Sequence, residues 1–382
     1  MKCCHVSVCG GCKFQEIPYQ NQVQSKESQV RELFAPHPVE PIVGALSPWA
    51  YRGKMEFTFS QDKKGEKYLG LIMSNSRGKV FSLTECWIGF PWMAEVVKSV
   101  REWWQKSRLE AFFPPKARGS LRTLTVRSSR DGKEQMVILT VSGDAEYALT
   151  RGELDSFVEA TKGENRSIYV VLQLTQKKQE TKFIEMHLAG PAALKEKLCG
   201  FEFHISPLSF FQPNVNVAEK MFQKGMEMLE LTGEEKVLDL YCGMGTIGII
   251  ISPFVRQVIG IEISKSSIAD AKDALQRLNI QNMHVYAEDV GAFLERQGEL
   301  FNPDIVIVDP PRTGLDKKAI QAINALKPKK ILYISCNPIT QRENLDHFPE
   351  YQITKIAPFD PFPHTKHMEN IVLLRQCCLQ IA

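Results

Sequence analysis

A chain of 382 residues, 43% hydrophobic and 24% charged, has an ordinary globular composition and is long enough for two domains. It has no apolar run of the ~20 residues a membrane span needs, and Met1-Lys2-Cys3-Cys4-His5 lacks the apolar core of a secretory signal. A cytoplasmic protein is expected, without structural disulfides, and a net charge of +3 does not by itself mark a nucleic-acid partner.

The ten cysteines therefore need another account. Cys3, Cys9 and Cys12 form C-x5-C-x2-C, with Gly10-Gly11 free to curl around a metal. Four thiolates hold either structural zinc or an iron–sulfur cluster. Cys86, in Thr84-Glu85-Cys86-Trp87, is the candidate fourth ligand, and Cys4 falls out of register as a spare thiol. The spacing is not the C-x3-C-x2-C of radical enzymes, so the cysteines are not read as the catalyst.

Further along, Met55–Phe59, Leu121–Val126 and Met136–Val141 alternate as strands, and Pro91–Glu110 has helical apolar spacing. An α+β domain over 1–202 follows. Between Lys116 and Arg130 stand Lys116, Arg118, Arg122, Arg127 and Arg130 without an acidic residue. Alone the run reads as a solvated edge strand; with the motifs below, a phosphate-contacting face is expected.

From Phe203 the pattern changes. Short apolar runs at Val237–Leu240, Val258–Ile261, Met283–Tyr286, Ile305–Val308 and Ile331–Ile334 alternate with helical stretches. This predicts a Rossmann-like α/β domain over 203–382 with a mostly parallel sheet. Tyr351–Ile356 and Ile371–Leu374, with no long helix between them, predict an antiparallel edge.

The first of these strands runs into Tyr241-Cys242-Gly243-Met244-Gly245-Thr246-Ile247-Gly248, a turn that lets a ligand approach the backbone. Glu262, ending the next strand, is placed for ribose hydroxyls, which leaves a nicotinamide cofactor and S-adenosylmethionine both open. Glu288-Asp289 after the third strand suits an adenine amine. After the fourth comes Asp309-Pro310-Pro311-Arg312. A dehydrogenase has no use for that rigid turn, whereas in a methyltransferase it shapes the pocket where acceptor meets methyl group. The fifth strand ends in Ser335-Cys336-Asn337-Pro338, and a helix opening at Ile339 would favour the Cys336 thiolate. A thiolate has a purpose here: added to C6 of uracil, it makes C5 nucleophilic. A base must then remove the C5 proton, and Glu369, in the proline-fixed stretch Phe359–Glu369, is the candidate.

Taken together, Ser209–Asn214, Asp239–Gly245, Asp309–Leu315, Ser335–Pro338 and Phe362–Glu369 resemble, in family order, the RNA uracil-C5 methyltransferases. The resemblance implies Cys336 as nucleophile and Glu369 as base. It implies S-adenosylmethionine contacts at Gln212, Tyr241, Glu262, Asp289 and Asp309, beside the turn glycines Gly243 and Gly245. It also implies a [4Fe–4S] cluster on Cys3, Cys9, Cys12 and Cys86. Several relatives carry a small β-barrel RNA-binding domain ahead of the cysteines, and this chain begins at the cysteines. Barrel-less relatives with the cluster act on ribosomal RNA, so 23S rRNA is the expected substrate and the tRNA T-loop the alternative. The target uridine is expected to flip into the cleft, with Phe210, Phe211 and Phe362 as candidates for base stacking.

Three other readings are weaker. An exocyclic-amine methyltransferase wants an aromatic residue where Arg312 stands and needs no cysteine. A cytosine-C5 enzyme would not normally pair this cysteine motif with Phe-Pro-x-Thr-x-His-x-Glu. A catalytically silent RNA-binding assembly factor has no need of both Cys336 and Glu369. A monomer without an obligate protein partner is expected.

Overall fold

The computed structural model describes residues 2–175 and 181–377. The chain divides into two compact units, and neither is one continuous segment. One comprises Met1–Ile17, Ser47–Glu196 and His204–Pro207; the other Pro18–Leu46, Lys197–Phe203 and Leu208–Ala382. The division therefore does not follow a single cut at 202/203. Helix α1 (Tyr19–Leu33) groups with the C-terminal residues because its buried face is Gln22, Val23, Lys26 and Val30. The ammonium of Lys26 finds its counter-ion there, in Asp360.

In the first unit six strands form one sheet: β1 (Lys54–Gln61), β2 (Lys67–Gly70), β3 (Leu121–Ser128), β4 (Gln135–Ser142), β5 (Arg166–Leu174) and β6 (Lys182–Ala189). Their spatial order is β2-β1-β3-β4-β5-β6, with only β4 and β5 parallel. Alternation puts Phe57, Phe59, Leu124 and Val126 into a core with Val97, Val100 and Trp104 of α2 (Pro91–Lys106) and Phe157 of α3 (Arg151–Thr161). Helix α2 ends at Lys106, short of Glu110, because Ser107 is extended. A hairpin, β7 (Leu194–Leu198) with β8 (Phe201–Ile205), leads onward.

In the second unit α4 (Val215–Leu229) precedes a seven-stranded sheet. Its strands are β9 (Lys236–Leu240), β10 (Gln257–Glu262), β11 (Met283–Ala287), β12 (Ile305–Val308), β13 (Lys330–Ser335), β14 (Tyr351–Phe359) and β15 (Glu369–Gln376). The order is β11-β10-β9-β12-β13-β15-β14. The first five run parallel, and β15 and β14 close the edge antiparallel, as expected from the sequence. The parallel strands are continuous apolar runs because both faces are covered. Strand order reverses beside β9, so the crevice at the carboxyl ends of β9 and β12 is where such a sheet accepts a ligand.

Candidate active site

The turn after β9 needs backbone angles that glycine provides. Gly243 and Gly245 have φ of 57° and 76°, and Tyr241 joins them at 61°. A Cβ at Gly243 would meet nothing within 4 Å, so the turn is open there. At Gly248, on α5 (Thr246–Ile251), a Cβ would lie 2.5 Å from the Met283 methyl, so this glycine serves close helix–strand packing. The carboxylate of Glu262 accepts from the amides of Gly243 (3.1 Å) and Ser264 (2.8 Å), tying the end of β10 to the turn. Asp289 accepts from the Ala292 amide at 3.0 Å as the cap of the short helix α7 (Val290–Phe293), which follows α6 (Lys265–Arg277) in the chain. Gln212 is half-buried in the loop before α4.

Asp239, on β9 and fully buried, accepts from the Gly248 amide at 3.0 Å through Oδ2, while its Oδ1 has no partner. Burial, with Asp309 and Glu262 nearby, raises its carboxyl to about 7. Burial likewise raises Asp309 to about 7. These two acids, at the reversal of strand order, form a crevice that favours a cationic ligand. Both are raised in the folded state, so their stabilising effect is complete at low pH and is lost as pH rises through about 7. Asp239→Asn should therefore raise the melting temperature of the ligand-free protein near pH 8 and flatten its decline from about pH 5. Melting curves with an unchanged pH dependence would show that Asp239 carries no such penalty.

Sheet register brings the other two groups together. Strand β13 pairs antiparallel with β15 so that Ile334 faces Ile371 and Ser335 faces Asn370. Cys336 directly follows Ser335 and Glu369 directly precedes Asn370, so the end of this ladder brings the thiol within reach of the Glu369 charge. Fully buried Gln341 on α9 (Pro338–Leu345, with α8 as Lys317–Leu326) pins this register. Its Nε2 donates to the carbonyls of Tyr333 (2.8 Å) and Asn370 (3.2 Å), and its Oε1 accepts from Asn370 Nδ2 (2.8 Å).

Arg312 is the cation of the group. Its guanidinium donates to His367 Nδ1 at 2.6 Å and lies near enough to the Cys336 thiol to favour its thiolate. Asn337 Nδ2 and Thr340 Oγ1 hold its backbone carbonyl at 3.2 and 3.3 Å. Burial and the neighbouring Glu369 push the Cys336 thiol upward, and Arg312 draws it down. Burial and Asp309 hold Glu369 well above the carboxylate range, again opposed by Arg312. Helix α9 begins just after Cys336, and Arg312 is the neighbouring side-chain cation that favours the thiolate. A cleft of about 780 Å³ opens at Cys336, walled by Arg312, Asn337, Ile339, Lys366 and by Gln29 and Leu33 of α1. Of the three candidate stacking rings, Phe210 is exposed, Phe211 is buried against Phe203 with centroids 5.6 Å apart, and Phe362 lies edge-on to His367.

Residues 193–377 match the family described as tRNA (uracil-5-)-methyltransferase. An uncharacterized RNA methyltransferase of Protochlamydia amoebophila is 42% identical, over 97% of this chain and 90% of its own. One from Staphylococcus epidermidis is 32% identical, over 97% and 82%. The chain belongs to the RNA uracil-C5 methyltransferase family. Among solved structures it is similar to the Pyrococcus abyssi tRNA (uracil-54, C5)-methyltransferase in complex with S-adenosyl-L-homocysteine. That match has a TM-score of 0.75 and 25% identity, and covers 96% of this chain and 86% of that one.

Two other expectations for this RNA methyltransferase fall in the first unit. The N-terminal loop is tied to the segment before Cys86: the Cys4 amide donates to Glu85 at 3.0 Å, and the Thr84 hydroxyl and His5 Nε2 are 2.8 Å apart. Burial first, then the neighbouring Cys86, Cys9 and Cys3, raise the Cys12 thiol to about 12. The four cysteines thus share one neighbourhood, yet among the described residues no three His, Cys, Asp or Glu side chains have the geometry to hold a metal ion.

Within the basic run several charges have partners in the unit itself, and Lys116 and Arg118 are exposed. Arg118 pairs with Glu110, Arg122 stacks 3.4 Å from the centre of the Phe112 ring, and Arg130 pairs with Glu196. Arg127 is buried and donates to the carbonyls of Ser206 and Pro207. On β3 the side chains of Arg122 and Arg127 are turned onto the unit's own aromatic and backbone surfaces, whereas Lys116 and Arg118, ahead of the strand, are exposed.

Proposed function

We propose that this chain methylates C5 of a uridine in 23S rRNA, with S-adenosylmethionine as methyl donor, Cys336 as nucleophile and Glu369 as base. The observation that carries the reading is the β13–β15 register, whose last pair, Ser335 with Asn370, leaves Cys336 and Glu369 as neighbours within reach of the Asp309 and Arg312 charges. The donor fits the crevice: the orphaned oxygen of buried Asp239 and the carboxyl of Asp309 favour a cation, and Gly243 leaves room above the turn. Tyr241, Gly243, Gly245, Glu262, Asp289, Asp309 and Gln212 are the residues that would hold it. When bound, it supplies an electrophilic methyl group.

The flipped uridine enters the cleft with C6 toward Cys336. Arg312 stabilises the thiolate, which adds to C6 and leaves the electron pair delocalised over C5 and the C4 carbonyl. After C5 has taken the methyl group, Glu369 removes the C5 proton and the C6–S bond breaks, returning the sulfur as thiolate.

In the same reading Cys3, Cys9, Cys12 and Cys86 hold a [4Fe–4S] cluster. Each cysteine sulfur that ligates a [4Fe–4S] cluster binds a different iron, so the four need not converge on one point as zinc demands. Two already accept backbone N–H bonds, Cys3 from His5 at 3.4 Å and Cys9 from Gly11 at 3.3 Å, as cluster sulfurs do. The protein purified without oxygen should contain iron and acid-labile sulfide in equal amounts, and zinc in their place would refute the cluster.

A second reading keeps the chemistry and changes the RNA. The likeness to the P. abyssi enzyme over most of both chains favours a tRNA T-loop uridine, whereas the cysteine set favours ribosomal RNA. Incubation with labelled S-adenosylmethionine and separate pools of unmodified 23S rRNA and tRNA, followed by nucleoside mass spectrometry, distinguishes them. 5-Methyluridine in 23S rRNA is expected. The same product only in tRNA would replace the substrate, and its absence from both pools would sink the reaction.

A further inference from the structure

The loop that delivers Glu369 is held from a part of the chain far away in sequence. Lys26, 2% exposed at mid-helix in α1, directs its ammonium at three acceptors: Asp360 Oδ1 at 2.7 Å, the Phe362 carbonyl at 3.2 Å and the His367 carbonyl at 2.8 Å. An ammonium has three protons, so one side chain satisfies all three sites. The acceptors span residues 360–367, the stretch ending two residues before Glu369. One turn earlier, Gln22 grips the same loop, its Oε1 accepting from the His364 amide at 2.8 Å and its Nε2 lying 3.1 Å from His364 Nδ1. His364 has φ of 65°, a conformation a β-carbon disfavours, so the loop needs outside support there. The other face of the site is anchored separately, since Gln341 fixes the strand register.

A buried ion pair is poor evidence for stability alone, because desolvation offsets much of its attraction. What the Lys26 contacts do supply is geometry: two of the three acceptors are backbone carbonyls of the loop.

We infer that Lys26 is a positioning residue for proton abstraction, clamping the 360–367 loop so that the Glu369 carboxylate meets C5. The inference rests on the roles given above to Cys336 and Glu369. It has a kinetic signature. Loss of the clamp spares thiolate addition and methyl transfer, which rely on Cys336 and the β9–β12 crevice. It slows the later removal of the C5 proton, so the methylated nucleotide stays bonded to Cys336.

The test compares Lys26→Met, Lys26→Arg and the double variant Lys26→Met/Asp360→Asn with wild type and Glu369→Gln. Substrate RNA is mixed with S-adenosylmethionine, and the readouts are denaturant-stable protein–RNA adduct and release of 5-methyluridine. Lys26→Met should slow release by on the order of 10- to 100-fold, the scale of an ångström-sized misplacement, while adduct accumulates and KM stays near wild type. Lys26→Arg should recover part of the release rate. The double variant leaves no unpaired buried charge and should fold even if Lys26→Met does not; it should show the same accumulation. Release and adduct levels falling together in the folded double variant would overturn the positioning role. So would wild-type kinetics. If Glu369→Gln itself accumulates no adduct, the role of Glu369 fails, and the clamp with it.

Discussion

Cys336→Ala should abolish 5-methyluridine formation, by on the order of 10⁴-fold or more, with the fold intact. The substitution removes one half-buried sulfur beyond the end of β13. The strand itself is held by Ile331, Leu332, Tyr333 and Ile334, all buried, and by Gln341. The loss is therefore chemical: without the thiolate, C5 of uracil is too weak a nucleophile to take a methyl group. Steady-state assay beside a melting curve checks it. Substantial turnover in a folded Cys336→Ala protein would refute covalent activation. The titration of the thiol adds a second handle. Because burial and Glu369 push it above its ordinary value of 9.0, the rate of adduct formation should rise with pH across the neutral range. Arg312→Met should move that rise to higher pH, since Arg312 is the group that draws the thiol down.

Glu369→Gln should give the opposite phenotype at the sulfur. Glutamine matches the glutamate in size and suits a site that is 6% exposed, but it cannot take a proton from carbon. Addition and methyl transfer proceed, elimination does not, and a protein–RNA adduct that survives denaturation accumulates. The raised proton affinity of Glu369, caused by burial and Asp309, suits a group whose task is to pull a proton from carbon. Electrophoresis under denaturing conditions reads the adduct directly. Release of methylated RNA at the normal rate would remove Glu369 from the mechanism.

Much of this second unit is legible in the sequence because its signals are local and apolar. The five parallel strands are uninterrupted runs such as Ile305–Val308, bounded by turn residues, and Cys336 and Glu369 sit at strand termini that such runs mark. What escapes is held by polar contacts at long range. Helix α1 buries Gln22 and Lys26 as well as Val23 and Val30, so a search for apolar periodicity passes over it. Arg312 is noticeable in the sequence only as the absence of an aromatic ring; its effect on the thiol requires the β12 and β13 ends side by side. The Lys116–Arg130 run shows the converse. Charge is visible in a sequence, whereas the partners that neutralise it, Glu110 and Glu196, lie on either side of the run.

The pairing of β13 with β15 has a consequence for how such an enzyme can drift over generations. The nucleophile and the base are 33 positions apart along the chain, yet their spacing is set by a ladder of backbone hydrogen bonds. Residues gained or lost in the turn between α9 and β14 would lengthen or shorten the chain between them without moving either group, provided the ladder keeps its step. A slip of one step is another matter, because it would turn Glu369 to the opposite face of the sheet. Lineages should therefore tolerate varied lengths around 346–350 and none that changes the parity of β15.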